Sequence, residues 1–212
     1  MELKNKKFNF LGDSITEGVG VTSPDKKYVE VFAREYGPLI TRNYGISGTR
    51  FAHQLVATVD NPSYDRDFCS RVALMDSDAD FVIVFGGIND FGHGDAPFGK
   101  FEDCTPYSFY GASHTLMRSI KERFPTATVV FMTPLHSTPD MRPGKEPILK
   151  YRDAICKTAA FYNIPILDLY SDEQLQPTTP SLREKYVPDG VHPNDDGAEI
   201  IAKRLGEFLL SL

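Results

Sequence analysis

The chain has 212 residues, 41% of them hydrophobic and 25% charged, with a formal net charge of −6. That length suits one domain with a large core, here expected over residues 1–212, and the acidic balance offers no general attraction for nucleic acid or anionic membranes. Three widely spaced cysteines, Cys69, Cys104 and Cys156, argue against a disulfide framework or a zinc–cysteine site. No apolar stretch of secretory length follows Lys6-Lys7, and no segment reaches the roughly 18–20 apolar residues of a membrane span. The chain is therefore expected to be cytoplasmic.

Residues 7–11 read as a first strand, closed by Gly12-Asp13. Residues 28–36 read as a helix stopped by Gly37-Pro38, and 39–44 as a second strand. A weak helical pattern covers 51–59, and a further helix candidate covers 66–75. Residues 81–85 are continuously apolar and rich in β-branched side chains, which suits a strand buried on both faces. A long helix follows over 107–124, then a strand over 128–132. The helix over 147–162 tolerates Pro147 in its first turn, and 164–169 contain a short fifth strand. The last helix spans 195–212, with Asn194 or Asp195 as its cap and Ile201, Leu205 and Leu209 on one side.

Strands separated by helices predict an α/β protein with a five-stranded, mostly parallel sheet. Right-handed crossovers put helices on both faces, giving a three-layer α/β/α sandwich. Long loops over 86–106, 133–146 and 171–189 all follow strand ends, where ligands bind in open α/β sheets.

Four short segments near those ends carry groups suited to chemistry. Gly12-Asp13-Ser14-Ile15 places a serine in a strand-to-helix turn, although taken alone Ser14 or Asp13 serves equally well as a helix cap. It does not fit the G-x-S-x-G elbow, and neither does Gly45-Ile46-Ser47-Gly48-Thr49. Residues 43–48 carry two glycines that permit positive φ or close backbone approach. Gly87-Ile88-Asn89-Asp90 offers an amide donor beside the most buried strand. Asp189-Gly190-Val191-His192-Pro193 offers an imidazole with a carboxylate three residues away. Alone, that pair also reads as an ordinary turn.

Together, in this order and over nearly the whole chain, the four segments resemble the SGNH hydrolases, or GDSL esterases, with Ile15 where the family has leucine. The resemblance implies a flavodoxin-like fold and a serine-dependent ester hydrolase acting on a small-molecule ester, with no metal or organic cofactor. It implies Ser14 as nucleophile, His192 as base, Asp189 as the carboxylate orienting it, and Gly48 and Asn89 as oxyanion donors beside the Ser14 N–H.

The long loops mix apolar residues such as Phe91, Phe98 and Leu135 with charged ones such as Asp95, Lys100 and Arg142. That mixture suits a small acyl group on a polar partner at least as well as a lipid, and since the resembled family includes carbohydrate O-acetylesterases, short acyl esters such as O-acetylated carbohydrates are expected, with the longer acyl chains of lysophospholipases and thioesterases as the alternative. His93 and His136 are read as loop residues without a role. The competing readings are a metal-dependent phosphoesterase using Asp13, Asn89, Asp90, His93 and His192, a glycosidase using Asp13 and Glu17, and a non-catalytic carbohydrate- or protein-binding domain. Oligomeric state is not readable from the sequence.

Overall fold

The computed structural model describes residues 2–212. In β1 (Lys7–Gly12) successive side chains point to opposite sides of the sheet, so Phe8 and Phe10 join one core and Leu11 the other. The same alternation runs through β3 (Phe81–Phe85) and β4 (Thr128–Met132). Phe81, Ile83, Phe85, Val130 and Met132 face helices α2 (Tyr28–Tyr36) and α8 (Asp195–Ser211), which pack on each other. Val82, Val84, Val129 and Phe131 face α5 (Phe109–Arg123) and α6 (Ile148–Phe161). The three-layer α/β/α sandwich follows from this division.

With β2 (Ile40–Gly45) and β5 (Ile166–Leu167), the sheet has the order β2-β1-β3-β4-β5, and every pairing is parallel. The order reverses direction between β1 and β3, which is where such sheets open a crevice for ligands. Register then positions the site. Gly12 lies opposite both Gly45 and Phe85, so β2, β1 and β3 end level. The residues just beyond each therefore emerge side by side.

The helix expected over 51–59 is not formed. Its backbone N–H groups are taken by carboxylates distant in sequence rather than by carbonyls one turn back. Asp90 accepts from Phe51 and Ala52, Asp95 from Leu55 and Val56, and Asp65 from Thr58. Residues 66–75 form only a helical turn, α3 (Phe68–Arg71), followed by a 3₁₀ turn. Two short helices were not expected, α4 (Ile88–Gly92) and α7 (Pro180–Tyr186), while α1 (Ser14–Glu17) is the helix that the strand-to-helix turn at Ser14 implied. Each is under two and a half turns, too short for an apolar stripe to declare itself. Among the described residues no helix is long and apolar enough to cross a membrane.

Candidate active site

Ser14 opens α1 directly after β1, with Asp13 as its cap accepting from the Ile15 N–H at 3.1 Å. As the first helical residue, Ser14 has no intrahelical acceptor for its own N–H. Its Oγ lies 2.9 Å from His192 Nε2, and His192 Nδ1 lies 2.6 Å from Asp189 Oδ2. The other Asp189 oxygen accepts from the backbone N–H of His192 at 2.7 Å and of Val191 at 2.8 Å. Partial burial works to raise the Asp189 carboxyl, but these bonds from His192 and Val191 outweigh it and hold it below its ordinary value. An ionised Asp189 accepts the Nδ1 proton, which leaves Nε2 as the acceptor facing the serine hydroxyl.

The ends of the first two strands are stitched together around Ser14. Glu17 Oε2 accepts from the Ser47 N–H at 2.6 Å and from its hydroxyl. Asn43 Nδ2 donates to the Thr16 carbonyl at 2.6 Å. A Cβ on Gly45 would strike the Glu17 backbone, so only glycine lets α1 and β2 approach this closely. Beneath them the buried Arg71 donates to three carbonyls, Tyr44 at 2.6 Å, Arg66 at 2.9 Å and Gly12 at 3.2 Å, and to Thr49 Oγ1 at 2.9 Å. Burial pushes its guanidinium down only to about 10, so it stays charged at neutral pH.

Gly48 has φ +73°, and a Cβ there would enter the Tyr64 ring. Among the described residues no protein acceptor takes the Gly48 N–H. The next residue, Thr49, receives Asn89 Nδ2 on its carbonyl at 3.0 Å, while Asp90 holds the Phe51 and Ala52 N–H groups, each at 2.9 Å. Consecutive residues of α4 thus clamp the turn that carries Gly48. Beside Asn89 lies a cavity of about 220 Å³, lined by the apolar Ile88, Phe91 and Val191 and by the polar His93, Ser137 and Arg142.

The sequence-predicted residues are therefore brought to one edge: Ser14, His192 and Asp189 in direct contact, and Gly48 and Asn89 joined through Thr49. The residues named for a metal site are otherwise engaged. Asp90 is spent on backbone amides, one Asp13 oxygen on Ile15, and His192 on Ser14 and Asp189, while His93 Nε2 lies 3.1 Å from Asn89 Oδ1. Among the described residues no three His, Cys, Asp or Glu side chains gather as a metal site. Glu17, named for a glycosidase pair, is occupied by Ser47.

The model of the GDSL-like Lipase/Acylhydrolase family matches residues 10–200. The chain belongs to this family. As a GDSL-like acylhydrolase it is a serine-type ester hydrolase of small-molecule esters. A solved protein from Lactobacillus plantarum is 31% identical, with a TM-score of 0.86 over 98% of each chain. Two esterases share the fold at lower identity. One, a two-domain enzyme active on acetylated mannans, is 20% identical with a TM-score of 0.64, over 97% of this chain and 48% of its own. The other, an acetyl xylan esterase, is 21% identical with a TM-score of 0.60, over 95% of this chain and 98% of its own. A search of curated proteins returns no match.

Sequence reading of this GDSL-like chain missed Arg71, Asp90 as a clamp, and the contact between His93 and Asn89. Only the last left a signal. Asn89 and His93 are four residues apart, the spacing at which side chains meet on a helical turn.

Proposed function

We propose that Ser14 is the nucleophile of this esterase, His192 its general base and acid, and Asp189 the group that orients His192, within a single hydrolase domain over residues 1–212. The observation that carries the reading is the unbroken contact from Asp189 through His192 to Ser14, at 2.6 and 2.9 Å. Ser14 Oγ attacks the ester carbonyl as its proton passes to His192 Nε2. The oxyanion so formed is received by the N–H groups of Ser14 and Gly48 and by Asn89 Nδ2. Collapse breaks the ester C–O bond, and His192 returns the proton to the departing alcohol. Water then attacks the acyl-enzyme, giving its proton to His192, and the acid leaves with Ser14 restored.

We further propose that the acyl group is short, with O-acetylated carbohydrates as the substrate class. The 220 Å³ cavity beside Asn89 is smaller than the roughly 300–1,000 Å³ of pockets for drug-sized ligands. It suits a small group better than an extended chain. Polar and charged side chains among the surrounding loops, His93, Ser137 and Arg142, suit a hydroxylated partner. The activities of the two carbohydrate esterases that share the fold agree with this choice.

The test is hydrolysis of p-nitrophenyl esters from acetate to octanoate, beside Ser14→Ala. The expected result is highest kcat/KM on acetate and none with the variant. Undiminished activity in Ser14→Ala removes the nucleophile assignment. A maximum at octanoate removes the short-acyl assignment alone.

A further inference from the structure

The hydrogen bonds around Asn89 have a single consistent direction, because both ends of the chain are unambiguous. At one end is Arg50, whose guanidinium can only donate. Its Nη1 lies 3.4 Å from His93 Nδ1, so that nitrogen is the acceptor. A neutral imidazole then carries its hydrogen on Nε2, which is 3.1 Å from Asn89 Oδ1. At the other end the Thr49 carbonyl can only accept, and Asn89 Nδ2 lies 3.0 Å from it. Reversing the amide would set Oδ1 against that carbonyl and the NH₂ against the His93 N–H, two repulsive contacts in place of two bonds.

Each link is itself held. Arg50 is buried, paired with Asp65 at 3.2 Å, and donates to the Tyr64 carbonyl at 3.1 Å. His93 keeps an exposed face and its ring is partly covered, with the Tyr64 ring centroid 5.4 Å away. That burial, with the cations of Arg50, Arg142 and Lys145, pushes its pKa down to about 4. The neutral form required by the chain is therefore the one favoured at neutral pH. Lys145 is fixed on the Asp90 and Gly94 carbonyls, so this positive surround is built in.

We propose that His93 is a positioning residue that locks the Asn89 amide, spending one Nδ2 hydrogen on Thr49 and keeping the other for the oxyanion. This rests on the reading of Asn89 as an oxyanion donor. A loose amide still permits substrate to bind but loses alignment in the transition state, so the loss falls on kcat rather than KM.

The experiment measures kcat and KM on p-nitrophenyl acetate for His93→Leu, His93→Gln, Asn89→Ala and Asn89→Ala/His93→Leu. Because His93 has an exposed face, the variants are expected to fold, and circular dichroism checks this. His93→Leu is expected to lower kcat by about 10–100-fold, part of the roughly 10²–10³-fold carried by a whole oxyanion donor, with KM within about twofold. His93→Gln is expected to recover most of it, since a glutamine four residues on can donate to Asn89 Oδ1. In the Asn89→Ala background, His93→Leu is expected to add less than about a twofold loss. A His93→Leu enzyme with unchanged kcat overturns the proposal. So does a loss repeated in full without Asn89, or one that glutamine fails to relieve. Asn89→Ala with full activity instead removes the oxyanion reading beneath it, and does so whatever the His93 variants show.

Discussion

Ser14 and His192 come together from 178 residues apart in sequence, and the structure holds them in different ways. The serine turn is fixed from outside. Arg71, Glu17, Asn43 and Asp90 tie it and its neighbours to segments 27 to 59 residues away, and Arg71 and Asp90 are buried. The histidine is fixed by its own loop. Its carboxylate stands three residues earlier, grips its backbone as well as its ring, and has a side chain 54% exposed. A nucleophile and the donors around it need a rigid common frame, which a network of buried hydrogen bonds supplies. A base that has only to face one hydroxyl is served by a self-contained turn. The serine side should thus couple activity to stability, whereas the histidine side should not.

The largest effect expected is in Ser14→Ala and His192→Ala, each losing at least about 10⁴-fold in kcat/KM with little change in thermal midpoint. Asp189→Asn comes next. Water reaches the exposed carboxylate and substitutes for part of its role, so a loss of about 10²–10³-fold is expected, smaller than the roughly 10⁴-fold seen where such an aspartate is buried. Its midpoint should stay close to the parent's. Arg71→Gln is the opposite case. Removing a charged donor from three carbonyls, of which that of Gly12 is buried, and from the buried Thr49 hydroxyl is expected to cost about 3 kcal/mol in urea unfolding, and to lower activity as the Gly12 and Thr49 turns drift. Equal destabilisation by Asp189→Asn and Arg71→Gln would erase the distinction between the two sides.

That distinction also governs what the sequence disclosed. Strands over 81–85 and 128–132 and the helix over 28–36 are formed over the residues expected, because continuous apolar runs and a clean helical period need no distant partner. Asp189 and His192 were legible as a pair because their geometry is local. Arg71 was not, since nothing in an arginine names the carbonyls it will meet at Gly12 and Tyr44. Residues 51–59 were misread as helical for the same reason. Their backbone is organised by Asp65, Asp90 and Asp95, and local propensity has no knowledge of carboxylates up to 40 residues away. Motif order named residues that meet at one edge of the sheet, while the frame that holds them became visible only in three dimensions.

The smallest effect discriminates most finely, because it measures how dry the serine side is. Asp13 is fully buried, one oxygen accepts from Ile15, and the other has no partner. Burial drives its carboxyl up to about 7, against the opposing pull of the Ile15 N–H, His192 and Arg71. In the unfolded chain the same group titrates near about 3.9. Between roughly pH 4 and 7 the unfolded state has therefore lost a proton that the folded state retains, and stability falls as pH rises through that window. Carboxylates held low, such as Asp189, contribute the opposite slope only at more acidic pH. Asp90, raised by burial to about 6, adds to the decline but is present in both proteins of a comparison. Asp13→Asn keeps an acceptor for Ile15 and removes the titration. Its thermal midpoint should thus fall less between pH 5 and 8 than that of the parent. Parallel profiles would mean that water or a neighbouring charge already stabilises the Asp13 carboxylate, and that the serine side is no more sealed from solvent than the loop that carries His192.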